Sequence, residues 1–207
     1  MKKIAIKIGS SVILTSRNKL DEFRIAHIAG QVAILRKRNI NVILIVSGAV
    51  ACGAGYVNLS SGGMKLRKIA AGIGQAYLIS IVSKIFTAKK LTIAQVLLTR
   101  DCLQSEENRK YIKEILEYYF QIGIIPVVNE NDVVDLNSFG GNDYLAAEVA
   151  TMLDVDQVLM LSQMSQSSHG VGGGKVKLQV GEGLNQKGIK ASIVNGKEKN
   201  IIITTTI

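Results

Sequence analysis

The sequence predicts an α/β protein with a mostly parallel central sheet sandwiched by helices, and three observations predict it. Short aliphatic runs alternate along the whole chain with longer stretches of helical periodicity. The runs are near-continuously β-branched, as in strands covered on both faces. Of 207 residues, 47% are hydrophobic and only 5% aromatic, enough to bury a sizeable aliphatic core and too apolar for a disordered chain.

The elements follow in order. Lys3 to Ile8 reads as the first strand and Asn41 to Val46 as the second, with a helical pattern over Asp21 to Arg38 between them. A helix over Leu66 to Lys89 leads to a strand at Thr92 to Leu98. Another over Ser105 to Tyr119 leads to a strand at Ile124 to Val128. The helix Asn142 to Leu153 precedes the strand Gln157 to Leu161, and Val176 to Gln186 reads as the last helix. Ser192-Ile193-Val194 and Ile201 to Thr205 are late strand candidates. Ser162 to Gly174, rich in Ser, Gln and Gly, reads as a flexible loop. Tyr111, Tyr118, Tyr119 and Phe120 sit at helical spacing, so helix packing is preferred over base stacking.

Charge is split unevenly. The chain carries 25 Lys and Arg against 16 Asp and Glu, a net of +9 that at first suggests nucleic acid or a membrane surface. Residues 1–100, however, hold sixteen cations against two acids (Asp21 and Glu22), whereas residues 101–207 hold nine against fourteen. A uniformly basic nucleic-acid binder is not built this way; a phosphate site drawing cations and carboxylates from different parts of one chain is. For most of these lysines a solvated helix surface is the better reading. Two cysteines, Cys52 and Cys102, exclude a disulfide scaffold and a cysteine-built zinc cluster. His27 and His169 are too far apart to suggest a ligand pair, and no metal site is expected. The uncharged stretch Ile40 to Gly63 is broken by Ser47, Gly48, Gly53, Gly55, Asn58 and Ser60, so it reads as a strand, a Gly-rich turn and a helix rather than a membrane span. A soluble cytoplasmic protein is expected.

In an open parallel sheet, ligands collect at the carboxyl ends of the strands, so the turns just after each strand are the ones to read. Lys7-Ile8-Gly9-Ser10-Ser11 offers backbone N–H groups and a lysine to an anion, or is a common Gly-Ser turn with a strand-edge lysine. Val46-Ser47-Gly48-Ala49-Val50 can seat a carboxylate, or simply cap and pack a helix. Asn129-Glu130-Asn131-Asp132 places four polar groups in a row after an apolar strand: a substrate site or an Asx-rich turn. Asp143, behind Phe139-Gly140-Gly141-Asn142, is either an orienter of catalytic lysines or a first-turn acid on a helix dipole. Gly170 to Leu178 is a phosphate cradle or a linker.

Taken together and in this order, these turns resemble the glutamate 5-kinases. The stretches are Ile6 to Ser11, Val46 to Val50, Ala71-Gly72-Ile73-Gly74-Gln75, Leu97-Leu98-Thr99-Arg100, Val127 to Val133, Gly140 to Ala147 and Gly170 to Leu178. The lysine-glycine start is common to the amino-acid kinase fold, while the Gly-Gln pair, Leu-Leu-Thr-Arg and Val-Asn-Glu-Asn-Asp are more particular to glutamate 5-kinases. The resemblance implies a three-layer α/β/α sandwich of the amino-acid kinase or carbamate kinase-like type. It implies one domain over 1–207, with a glutamate-binding and phosphate-loop part at 1–155 and a nucleotide-binding part at 156–207. A C-terminal RNA-binding-like domain, which many relatives carry, is not expected.

The activity implied is ATP-dependent phosphorylation of the γ-carboxylate of L-glutamate to glutamyl 5-phosphate, the first step of proline biosynthesis. By position, Lys7 and Lys177 hold the transferring phosphoryl group and Asp143 orients them. Ser47, Gly48, Ala49, Asn129, Asn131, Asp132 and Asn142 bind glutamate. Lys7, Gly9, Ser10, Ser162, Gln163, Val171, Gly172, Gly173, Gly174, Lys175, Val176 and Lys177 contact ATP, with Mg²⁺ held mainly through the phosphates. A homo-oligomer (dimer or tetramer), proline feedback at or near the glutamate site, and no nucleic-acid or membrane partner complete what the resemblance implies. The chain departs from the family pattern at Gly141 and Gln163, where acids are usual, and in a far shorter segment between Ser162 and Gly170. The competing readings are a kinase of the same fold acting on acetylglutamate, aspartate, uridylate or carbamate, a non-catalytic nucleotide or amino-acid sensor, and a nucleic-acid binder resting on the pI of 9.6.

Overall fold

The computed structural model describes residues 1–60, 62–163 and 174–206. Six strands form one all-parallel sheet, in the spatial order β3-β4-β2-β1-β5-β6. They are β1 (Lys3–Ile8), β2 (Asn41–Val46), β3 (Ile93–Leu98), β4 (Ile125–Glu130), β5 (Gln157–Ser162) and β6 (Lys190–Asn195). Around them lie α1 (Ser10–Ile13), α2 (Glu22–Lys37), α3 (Ala49–Gly53), α4 (Gly63–Ala88), α5 (Glu106–Gln121), α6 (Asn142–Leu153), α7 (Gly174–Gln186) and α8 (Ile201–Thr205).

Alternation along the strands sends successive side chains to opposite faces, and each face meets its own layer of helices. Ile4, Ile6 and Ile8 of β1, with Val42, Leu44 and Val46 of β2, pack beneath α1, α2 and α4. Ala5, Ile43, Ile45, Val158 and Met160 pack on the other face against α5, α6 and α7. These three layers are the expected α/β/α sandwich. Because β1, β2, β4 and β5 are covered on both sides, almost every residue in them is buried.

The long helix α4 has the length and apolarity of a membrane span. In this structure its Ala70, Ala71, Gly74, Leu78, Val82, Ile85 and Phe86 are buried, in the layer it shares with α2 and α3. The close approach of α3 and α4 requires glycine at Gly74: a Cβ there would lie 1.8 Å from the Ala49 carbonyl oxygen. The Gly-Gln pair therefore has a packing half, Gly74, and a polar half, Gln75, described below.

Two element expectations need correction. Ile201 to Thr205, read as a strand from its β-branched run, is the short helix α8. The side-chain oxygen of buried Gln31 on α2 accepts from the N–H groups of Ile202 and Ile203 (2.9 and 3.4 Å), and Ile202 fills the core. Tertiary hydrogen bonding overrides β-propensity there. The fourth strand runs to Glu130 rather than ending at Val128, so Asn129 and Glu130 lie on a buried strand and not in the turn after it.

Candidate active site

The carboxyl ends of β1, β2, β4 and β5 open into a cleft of about 860 Å³. At its floor stands Lys7, on the penultimate position of β1 and 5% exposed. Its Nζ lies 2.8 Å from Asp143 Oδ1, and Lys177 Nζ lies 3.1 Å from Asp143 Oδ2. One carboxylate thus bridges two ammonium groups drawn from a strand and a different helix. Asp143 sits in the first turn of α6, itself 3% exposed. Burial pushes the Lys7 ammonium below its usual pKa; the Asp143 charge and hydrogen bond oppose that fall, and the neighbouring Lys177 charge adds to it.

The turn after β1 brings Gly9 and Ser10 to the cleft wall. The Gly9 N–H is not free for an anion, because it donates to the Leu161 carbonyl at 3.0 Å and extends the β1–β5 ladder. The N–H groups of Ser10 and Ser11, the first in α1, are the ones no helical carbonyl can reach. Ser162 and Gln163, at the end of β5, line the same wall, and the Gln163 N–H donates to Ser11 Oγ at 3.4 Å.

The opposite end of the cleft is acidic. Glu130, 4% exposed, ties down the loop that follows β4: its Oε2 accepts from the Phe139 N–H (3.1 Å) and from the Ser138 hydroxyl (3.5 Å). Arg100, just beyond β3, grips the same loop from the other side through the Ser138 and Phe139 carbonyls (3.0 and 2.9 Å). Asp132 Oδ1 accepts from the Asn137 N–H at 3.0 Å. Burial pushes the Asp132 and Glu130 carboxyls above their ordinary values, opposed at Asp132 by the Asn137 N–H and the Arg67 charge and at Glu130 by the Phe139 N–H. The loop ends on Gly140 and Gly141, both at positive φ (84° and 119°), which turn the chain into α6 and aim Asn142 and Asp143 at the cleft. Asn142 Oδ1 is buried there with no hydrogen-bond partner among the described residues.

The predicted residues fall into three groups. Lys7, Gly9, Ser10, Ser47, Asp132, Asn142, Asp143, Ser162, Gln163 and Lys177 line the one cleft. Asn129 does not: consecutive strand residues point to opposite faces, and its amide donates to Gln75 Oε1 at 2.7 Å while its own oxygen accepts from the Glu130 N–H. Ala49 and Asn131 line a smaller neighbouring cavity of about 300 Å³ between α4 and the loop after β4. Gly48 is the positive-φ turn into α3, packed toward Leu14 and Ser10. Gly174, Lys175 and Val176 open α7 without lining the cleft. Val171, Gly172 and Gly173, with His169, lie outside the described residues. Sequence reasoning did not single out Arg67 or Arg100, and it read Glu130 only as one of four polar groups of a substrate site or an Asx-rich turn. Glu130 and Arg100 stood inside the quoted motifs, but nothing in spacing reveals a carboxylate that serves a loop.

The Amino acid kinase family pattern matches residues 2–166. Glutamate 5-kinase of Clostridium acetobutylicum is 29% identical over 237 residues, covering 97% of this chain and 89% of that protein. Glutamate 5-kinase 2 of Bacillus subtilis is 34% identical over 79% of this chain, which spans 45% of that protein's length. Among solved structures, UMP kinase of Ureaplasma parvum superposes with a TM-score of 0.68 at 13% identity, over 98% of this chain and 94% of that one; this is a likeness of fold. Because that family's pattern spans residues 2–166, well over half of its length, the chain belongs to the amino acid kinase family.

Proposed function

We propose that this chain transfers the γ-phosphoryl group of ATP to the γ-carboxylate of L-glutamate, yielding glutamyl 5-phosphate, the entry to proline biosynthesis. The observation that carries the reading is the single Asp143 carboxylate shared by Lys7 and Lys177 at the floor of a cleft whose other end is acidic. The similarity to proteins named glutamate 5-kinase supports it.

The chemistry needs no general base. A carboxylate with an ordinary pKa of about 4 is already ionised at neutral pH. A γ-carboxylate oxygen of glutamate forms the new O–P bond as the bond between the β,γ-bridging oxygen and the γ-phosphorus breaks, and ADP leaves with that electron pair. What the protein supplies is alignment of two anions and neutralisation of charge on the equatorial oxygens. Lys7 and Lys177 do that work in this reading, and Asp143 holds one ammonium group at each of its two oxygens. The Ser10 and Ser11 N–H groups add donors on the nucleotide side, with Ser162, Gln163 and the chain from Val171 to Lys177 as further ATP contacts. Ser47, Asp132 and Asn142 are the glutamate contacts this reading keeps; Asn142 Oδ1, a buried acceptor with no donor among the described residues, suits the substrate ammonium. Mg²⁺ would be held mainly through the ATP phosphates and would supply further positive charge there. A cytoplasmic homo-oligomer inhibited by proline at or near the glutamate site belongs to the same reading.

The test is ADP release from ATP and Mg²⁺ with glutamate, acetylglutamate, aspartate, uridylate and carbamate in parallel. Release with glutamate alone is expected; release with another acceptor, or none beyond background, overturns the reading.

A further inference from the structure

We propose that Arg67 is the residue that selects the substrate's α-carboxylate, and so makes the acidic end of the cleft a receptor for an amino-acid zwitterion; the proposal rests on the glutamate reading. Lys7 and Lys177 are committed to Asp143 at the reacting end. The remaining cation on the cleft wall, among the described residues, is Arg67, near the start of α4. It faces Asp132 closely enough for its charge to act on that carboxyl, yet no ion pair of 4.0 Å or less joins the two. Asp132 is held in place by the Asn137 N–H and Arg67 extends from a separate helix, so neither charge is taken up by an ion pair with the other.

A ligand with an anion and a cation on one carbon fits such a gap. The α-ammonium meets Asp132 and the unpartnered Asn142 Oδ1, and the α-carboxylate meets the guanidinium, whose planar fork suits a carboxylate. A side-chain carboxylate then extends toward Lys7. Arg67 is exposed and on a helix surface, so its replacement leaves the core untouched.

The experiment compares L-glutamate with 4-aminobutyrate, which retains the reacting carboxylate and the amine and lacks only the α-carboxylate. Arg67→Met should lower kcat/KM for glutamate by about ten- to a hundred-fold, the range for one charge-assisted contact. It should change the value for 4-aminobutyrate less than two-fold, so the discrimination between the two collapses. Arg67→Lys should fall between. Equal losses on both substrates, the mark of a merely structural role, overturn the proposal, as does no loss on glutamate. If 4-aminobutyrate turnover is too slow to measure, the calorimetric Kd of glutamate decides: at least ten-fold weaker binding by Arg67→Met supports the proposal, and an unchanged Kd overturns it. Glutamate binding to the parent without ADP release would refute the kinase reading and leave Arg67 to be judged by that Kd comparison. A parent that binds no glutamate refutes both.

Discussion

Replacing Asp143 by Asn removes the charge that two buried ammonium groups share while keeping a side chain of the same shape. At 2.8 and 3.1 Å, each Lys–carboxylate contact is worth about 5–6 kcal/mol of Coulomb attraction at an effective dielectric of about 20. Much of that offsets the cost of desolvating three groups whose side chains are 4%, 7% and 13% exposed. What remains when one partner is deleted is the penalty for uncompensated buried charge, about 3–5 kcal/mol. Here two like charges are also left facing each other. Asp143→Asn should therefore lower the unfolding free energy by about 3 kcal/mol or more at pH 7, read from urea midpoints.

The pH dependence gives this prediction a sign. Burial already holds the folded Lys7 pKa below its unfolded value of 10.5. Between the two values the unfolded chain binds the extra proton, so stability rises with pH across that window as the folded lysine is allowed to go neutral. Without Asp143, which raises the Lys7 pKa, the window opens further downward, so the variant should regain stability on raising the pH more steeply than the parent does. A variant as stable as the parent, with the same pH slope, would refute the idea that Asp143 neutralises two charged lysines. Undiminished kcat in that variant would refute its role in holding them for phosphoryl transfer.

Lys7→Ala should cost roughly 2–4 kcal/mol of transition-state stabilisation in kcat/KM, checked by steady-state ADP release on protein shown to be folded. Glu130→Gln keeps an acceptor for the Phe139 N–H and removes a buried charge. Because the folded Glu130 pKa is raised above 4.5, the parent loses stability as pH climbs from 4.5 through the folded value, and the variant's stability should be flatter over that window, measured by thermal unfolding across pH. Gly74→Ala drives a methyl group to 1.8 Å from the Ala49 carbonyl and should destabilise by at least about 1–3 kcal/mol, seen as a lower urea midpoint with unchanged slope. Gln31→Ala strips the acceptor from the Ile202 N–H and should cost about 1–3 kcal/mol, with amide exchange accelerated most in α8.

The sheet was legible because burial on both faces writes itself into composition. A strand such as β2, Asn41–Val46, has no solvent side and so carries no alternation to misread. The same logic misled at Ile201 to Thr205, where five β-branched residues are helical because a buried glutamine 171 positions earlier in the sequence supplies the acceptor. Turn position made Lys7, penultimate in its strand, and Asp143, in the first turn of its helix, candidates beside plainer alternatives, and the resemblance to glutamate 5-kinases was what singled them out. Asn129 was misplaced because the strand runs two residues longer than its apolar part, and one residue of register sends a side chain to the other face. Arg67 left no trace in the sequence, since a basic residue on an amphipathic helix looks like solvated surface until the loop after β4 folds opposite it.

The uneven charge of the chain has a local meaning that its total hides. Of the three charged cleft cations, Lys7 and Arg67 come from the basic first hundred residues and Lys177 from the acidic remainder, while all the cleft acids, Glu130, Asp132 and Asp143, come from that remainder. The division arises because the first half contributes strand ends and the start of α4, and the second half contributes the loop after β4 and the first turns of α6 and α7. Positive and negative groups therefore come from different elements. Asp143 is in contact with both lysines, whereas no ion pair of 4.0 Å or less joins Asp132 and Arg67. On the proposed reading, one carboxylate against two ammonium groups leaves net positive charge at the reacting end for the phosphoryl oxygens, and the Asp132–Arg67 end is left to bind the acceptor by the groups that do not react.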